Sequence, residues 1–113
     1  IISSDMKLKL EDLYEIFIDK LKTNLSSRRK EQIKNFVLTL SNVSFVNEKL
    51  VLDHTIGMFL IPLIKGAGEE YEESLIELKE KLENYELSNS VDLLSDVLYT
   101  GNQNFKHFSF SIA

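Results

Sequence analysis

The sequence contains no cysteine, which excludes a disulfide framework and any thiolate-based metal or redox site. Its two histidines, His54 and His107, stand far apart in the chain and cannot make a zinc site by themselves. The most apolar stretch, Leu50–Ile64, is shorter than the roughly 20 residues a membrane span needs, and it holds Asp53 and His54. The start, IISSDMKLKL, lacks the apolar core of a signal peptide. Net charge is −5, the wrong sign for a general nucleic-acid binder, whose phosphate contacts need a basic footprint. These absences predict a cytoplasmic protein with no metal, cofactor, nucleic acid or membrane span. The chain opens on Ile1 and closes on an apolar SFSIA, as expected of a processed chain or a domain taken from a longer one.

What is present is a core-forming composition. With 113 residues, 43% of them hydrophobic, the chain is long enough for one domain, residues 1–113, with its own core. Beyond Thr55, steps of 100° place Ile56, Met58, Phe59, Leu60, Ile61, Leu63 and Ile64 all around a helix. Such a helix is expected to lie centrally, or under a ligand or partner. Charge is uneven: residues 1–50 hold nine Lys/Arg against seven Asp/Glu, and residues 51–113 hold four against eleven. That asymmetry suits a charged face meeting a partner or a second copy, or two ordinary solvated surfaces.

The periodicity predicts a helix over 8–25, with Leu10, Leu13, Tyr14, Phe17, Leu21 and Leu25 in one stripe. A second begins at Ser26–Ser27, carries Ile33, Phe36, Val37 and Leu40 inward, and stops at Ser41–Asn42. Residues 43–53 read as a helix capped by Asn47 or as a small hairpin, the helix being preferred. Pro62 is expected to end or kink the apolar helix, and Gly66-Ala67-Gly68 to make a flexible break. The run EEYEESLIELKEKLENYEL has a narrow seam of Tyr71, Leu75, Leu78, Leu82 and Tyr85, so it packs on the outside of a bundle. Ser88-Asn89-Ser90 caps a shorter helix that points Val91, Leu94 and Leu98 inward and closes at Gly101. The tail changes period: FSFSI alternates, as a strand does. Its mate is sought in MKLKL, in the hairpin, or in another molecule.

Candidate sites are few, and each has a plain structural reading beside the functional one. His54, with Asp53 before it and Met58 four residues on, is placed to ligate haem iron, accept a phosphoryl group or act as a base. Each role needs accessory groups that the sequence does not supply, and a hydrogen-bonded or surface histidine is the simpler reading. Arg28, Arg29 and Lys30, with Lys34 a turn later, form a basic cluster at a helix start, where cations oppose the dipole. The eight glutamates from Glu69 to Glu86 read as the wet side of a helix. Glu69 and Glu70 after the glycines reject a phosphate-binding turn. Phe105, Phe108 and Phe110 must either fold back on the bundle or meet a partner.

The segment Leu52-Asp53-His54, with Leu63 and Gly66 beyond it, resembles the histidine segment of the helical regulatory domains of sugar-operon antiterminators. That resemblance implies a histidine that accepts a phosphoryl group. Those domains carry an arginine soon after the histidine, where this chain has Ile61 and Pro62, and the likeness is not adopted.

The fold expected is an all-α bundle of about five helices around Leu50–Ile64, with room for a minor C-terminal strand. The alternative is an α+β fold with a small antiparallel sheet from 6–10, 43–53 and 106–112. The first functional expectation is a non-catalytic regulatory or protein-interaction domain, acting on a protein partner or as a homodimer through Phe105, Phe108, Phe110, Arg28, Arg29 and Lys30. The second is a sensor in which His54, Met58, Phe59, Leu60 and Leu63 line an apolar cavity for a fatty acid or a haem. An enzyme stands third, for want of convergent polar groups.

Overall fold

The computed structural model describes residues 2–43 and 47–110, and within them it has five α-helices and one two-stranded ladder. Helix α1 (Ser4–Glu15) begins where the Ser3 hydroxyl accepts the Met6 N–H at 3.1 Å. That start precedes the expected residue 8, because MKLKL satisfies a helix as well as a strand. Met6, Leu10, Leu13 and Phe17 keep helical spacing and all are buried. The helix runs on through a π-helical turn, Ile16–Lys20. Lys22 then takes a left-handed φ of 56°, and the Thr23 N–H bonds back to the Phe17 carbonyl at 2.8 Å. Helix α2 (Ser27–Ser41) is capped by Ser26, whose hydroxyl accepts the Arg29 N–H at 3.1 Å, and it buries Ile33 and Val37.

The central element starts as expected of the helical alternative. Asn47 accepts the Leu50 N–H at 2.8 Å and opens α3 (Glu48–Thr55). Residues 44–46, in the segment read as helix or hairpin, lie outside the described residues. From α3 the chain passes into a π-helical turn, Ile56–Leu60, and a 3-10 turn, Ile61–Leu63. The second change of pitch falls at Pro62, which has no N–H to continue an α-helix. Val51, Leu52, Ile56, Leu60, Ile61 and Ile64 are buried against the other helices of the bundle. The burial is not all-round: Leu50 and Met58 are 58% and 52% exposed, and His54 faces outward between them. Their i, i+4, i+8 spacing makes one solvent-facing stripe, so the segment is central but uncovered along one edge.

Strand β1 (Lys65–Ala67) leads into α4 (Glu69–Asn84), α5 (Ser88–Asn102) and strand β2 (His107–Ser109). The two strands pair antiparallel, Gly66 opposite Phe108. The expected flexible break is therefore half of a ladder, and the tail's mate is the segment before α4. MKLKL and residues 48–53 are helical, so the wider sheet of the α+β alternative does not form. Ile112, the last residue of the alternating tail, lies outside the described residues. Gly68 opens α4 with a φ of 98°, a conformation that side chains disfavour. Gly101 does not close α5; it lies inside the last turn, buried, where a Cβ would overlap the Phe108 ring. Phe108 is 1% exposed and stacks at 6.3 Å on Tyr71 of α4. The ladder thus clasps the α4–α5 hairpin at its open end.

The N-terminus of α5 is capped from outside its own segment. Asp53 on α3, only 6% exposed, accepts the Asn89 N–H at 2.9 Å on one oxygen and the Ser90 N–H at 2.7 Å on the other. The buried Ser90 hydroxyl lies 2.6 Å from the Asp53 carboxylate and 3.0 Å from its carbonyl oxygen, and donates to this pair. The expectation that Ser88-Asn89-Ser90 supplies the cap is corrected: that segment donates, and the acceptor comes from α3. A carboxylate at a helix N-terminus also meets the positive end of the dipole.

Two substitutions test these joints. Asp53→Ala should cost about 2 kcal/mol or more, because it leaves first-turn N–H groups buried and unpaired. Asp53→Asn keeps one acceptor and should cost less, both read from urea midpoints. Gly101→Ala should cost about 1–3 kcal/mol by pushing Phe108 off the hairpin, visible as a loss of near-ultraviolet dichroism while helix content holds.

Candidate functional site

Of the residues expected to contact a partner, the structure leaves some outside and takes others in. Phe108 is core, and Phe110 is half-buried against it. Phe105 is the opposite: 91% exposed, at the tip of the turn between α5 and β2. This turn carries two consecutive left-handed residues that are not glycine, Phe105 at φ 54° and Lys106 at φ 58°. Such backbone costs about 1–3 kcal/mol per residue and persists only where its surroundings fix it. Here they do. The Lys106 N–H donates to the Gly101 carbonyl at 2.8 Å, and its carbonyl accepts from the Gly68 N–H at 3.0 Å. Its ammonium donates to Glu72 at 2.7 Å and to Asn102 at 2.9 Å. The hydrogen bond from Lys106, and after it that with Asn102, holds the Glu72 carboxyl below its ordinary pKa. Tyr99, 70% exposed in the last turns of α5, adds a second outward aromatic at this end of the helix.

The basic cluster contributes to a different place. Helix α2 packs along α3 and stands away from α1, leaving a cleft of about 490 Å³. Its apolar floor is Ile2, Leu10, Tyr14 and Leu38. Lys30 and Lys34 come from the α2 side and Lys7 from α1, with Glu11 and Glu31 also at the rim. A further hollow of about 410 Å³ shares Glu11, Tyr14 and Lys30 and extends past Ile18 to Glu15 and Asp19. Lys30 lies over the Tyr14 ring at 5.6 Å. Among the described residues, none of Lys7, Arg28, Arg29, Lys30 and Lys34 has a carboxylate within ion-pair distance. Arg28 and Arg29 stand in the first turn of α2 outside the cleft lining. Sequence periodicity marks α1 and α2 as helices, but it does not say that they leave a space between them, so the cleft is not legible there.

The expected ligand pocket is not assembled as one. His54 and Met58 face solvent, Leu60 is fully buried, and Phe59 and Leu63 are half-buried. Phe59 instead meets Phe36 of α2 edge-on at 5.0 Å. Asp53, which precedes His54 in the sequence, is engaged by α5. Among the described residues no three His, Asp or Glu side chains gather as a metal site, and no helix is long and apolar enough to cross a membrane.

Two tyrosines register the packing of α1. Burial, then the nearby Glu11, pushes the Tyr14 phenol up from 10.0 to about 12. Burial first, then the hydrogen bond Tyr85 donates to Asp12 at 3.1 Å and the charges of Asp12 and Asp5, pushes Tyr85 to about 12. The folded state favours both neutral phenols, and the unfolded chain ionises first, near pH 10. Stability tied to these groups is complete below pH 10 and lost as pH rises toward 12. The urea midpoint should fall across that window, and Tyr14→Phe should blunt the fall while leaving stability at neutral pH within about 0.5 kcal/mol.

No curated protein and no solved structure matches the chain. A family model does match, over residues 2–106, a span that takes in the five described α-helices, strand β1, the cleft and the Phe105 turn. The chain belongs to the family described as Domain of unknown function (DUF8727).

Proposed function

We propose that this chain is a non-catalytic interaction domain that docks a protein partner through the aromatic turn after α5. The observation that carries the reading is Phe105, 91% exposed in the left-handed region and next to Lys106, a second left-handed residue that Gly101, Gly68, Glu72 and Asn102 hold in place. Strain kept at a surface position with an outward aromatic side chain calls for a use, and an anchor held in advance loses little freedom on binding. Buried aromatic anchors commonly dominate interface energies. The acids and histidines support a non-catalytic role: Asp53 is committed to capping α5, while His54 and His107 are exposed on separate elements. We place the docking in the cytoplasm, on the strength of a composition without cysteine.

Site-specific photocrosslinking in the native host tests this. With benzoylphenylalanine at Phe105, one discrete adduct is expected, and none from the exposed control position Glu83. An adduct at twice the 13.0 kDa chain mass identifies the partner as a second copy. No adduct, or the same set of adducts from both positions, would sink the reading.

A further inference from the structure

We infer that the cleft between α1 and α2 is a second docking site, shaped for an amphipathic helix of a partner protein with carboxylates along the flank that faces α2. This deepens the docking reading with a surface that does not include Phe105, and either surface can fail alone.

The shape argues for a helix. The floor runs from Ile2, just before α1, through Leu10 and Tyr14 to Ile18, and its helical part from Ser4 to Ile18 spans roughly 21 Å at 1.5 Å per residue. A long, open trough with apolar residues at intervals of one or two helical turns matches the i, i+4, i+7 anchors of a helix laid into a groove. Tyr14 adds a hydroxyl to that floor without a hydrogen-bond partner among the described residues.

The charge argues for acid on one flank. Helix α2 carries Arg28, Arg29, Lys30 and Lys34 against Glu31 on its first two turns, none of the cations ion-paired within the described residues. Three of them crowd the N-terminal turn, against the helix dipole, with no acid there to offset them. Lys30 and Lys34 are one turn apart on the same wall, and Lys7 meets them from α1. Carboxylates at i and i+4 on an incoming helix would reach both. Glu11 borders both hollows, and beyond it the trough carries Glu15 and Asp19, so the same helix is expected to place a cation there. A second copy of this chain is a poor occupant. Its one strongly acidic helix, α4, already buries Leu75, Leu78 and Leu82 and offers outward only Ile76 among its leucines and isoleucines.

The test uses a synthetic helix of about 16 residues, enough to span the trough, with a leucine ridge and glutamates on one flank, and a twin with glutamine for each glutamate. Titrated into isotope-labelled protein, the glutamate peptide should shift the amide signals of Tyr14, Lys30 and Leu38 and bind about tenfold or more tighter than its twin. Added salt should narrow that gap. The double variant Lys30→Glu, Lys34→Glu, both exposed positions whose melting curve is expected to match the parent, should lose about as much affinity as the twin, and Phe105→Ala should lose none. Equal binding of the two peptides, no binding, or shifts confined to the Phe105 turn would overturn the inference. So would groove shifts from sodium dodecanoate without the peptide, which would make the cleft a site for small amphiphiles, or shifts that grow with protein concentration alone. If the peptide fails while Phe105 still crosslinks, the cleft inference falls and the docking reading stands.

Discussion

One buried carboxylate ties the central helix to the start of α5. Asp53 sits on the helix that α1 and α2 pack around, and its oxygens take up the first N–H groups of α5. A charged group buried this deeply is costly unless its lone pairs are used. Here two backbone donors and the Ser90 hydroxyl use them. The arrangement also fixes direction, since a cap works only if α5 starts at α3 and runs away from it. That joint, with the packing of α5 on the turns after α3 and of α4 on the Ile16–Lys20 turn, orients the α4–α5 hairpin.

The other constraints are local and act on the pitch of the backbone. Two long helical segments, 4–20 and 48–63, each pass through a π-helical turn. Such a turn rotates the residues downstream of it relative to those upstream. In the central segment Ile56 and Leu60 fall inward while Met58 remains outside. A strictly α-helical projection of the same residues spreads apolar side chains around the axis, which is why the sequence suggests a helix covered on every side.

Helix positions are legible because each buried stripe keeps its period: Ile33 and Val37, then Leu75, Leu78 and Leu82. So is the change of period at Phe108, which is a strand residue. What the sequence hides is pairing at a distance. Asp53 lies well before Ser90, and nothing in either segment announces that one caps the other. Gly66 reads as a break until Phe108 is opposite it, and Gly101 reads as a stop until the Phe108 ring lies against it. For the site, composition marks Phe105 together with Phe108 and Phe110, but only the fold separates a surface aromatic from two that pack inward. Charge marks Lys30, and only the space left between α1 and α2 gives that charge a trough to border.

The clasp between β1 and β2 has a bearing on how unevenly this protein opens. Residues 65–109 form a closed loop of chain: two helices in contact, their open ends tied by the ladder, Phe108 filling the space between. Contacts of that kind lie within one continuous stretch of chain and support one another, the conditions for a cooperative foldon. Helix α2 has no such arrangement; it leans chiefly on the central segment, through α3 and Phe59. Amide protons in α2 are therefore the ones to exchange early, through excursions that leave the clasped unit intact. The cleft is thus walled on one side by the helix that has the fewest ties to the clasped unit.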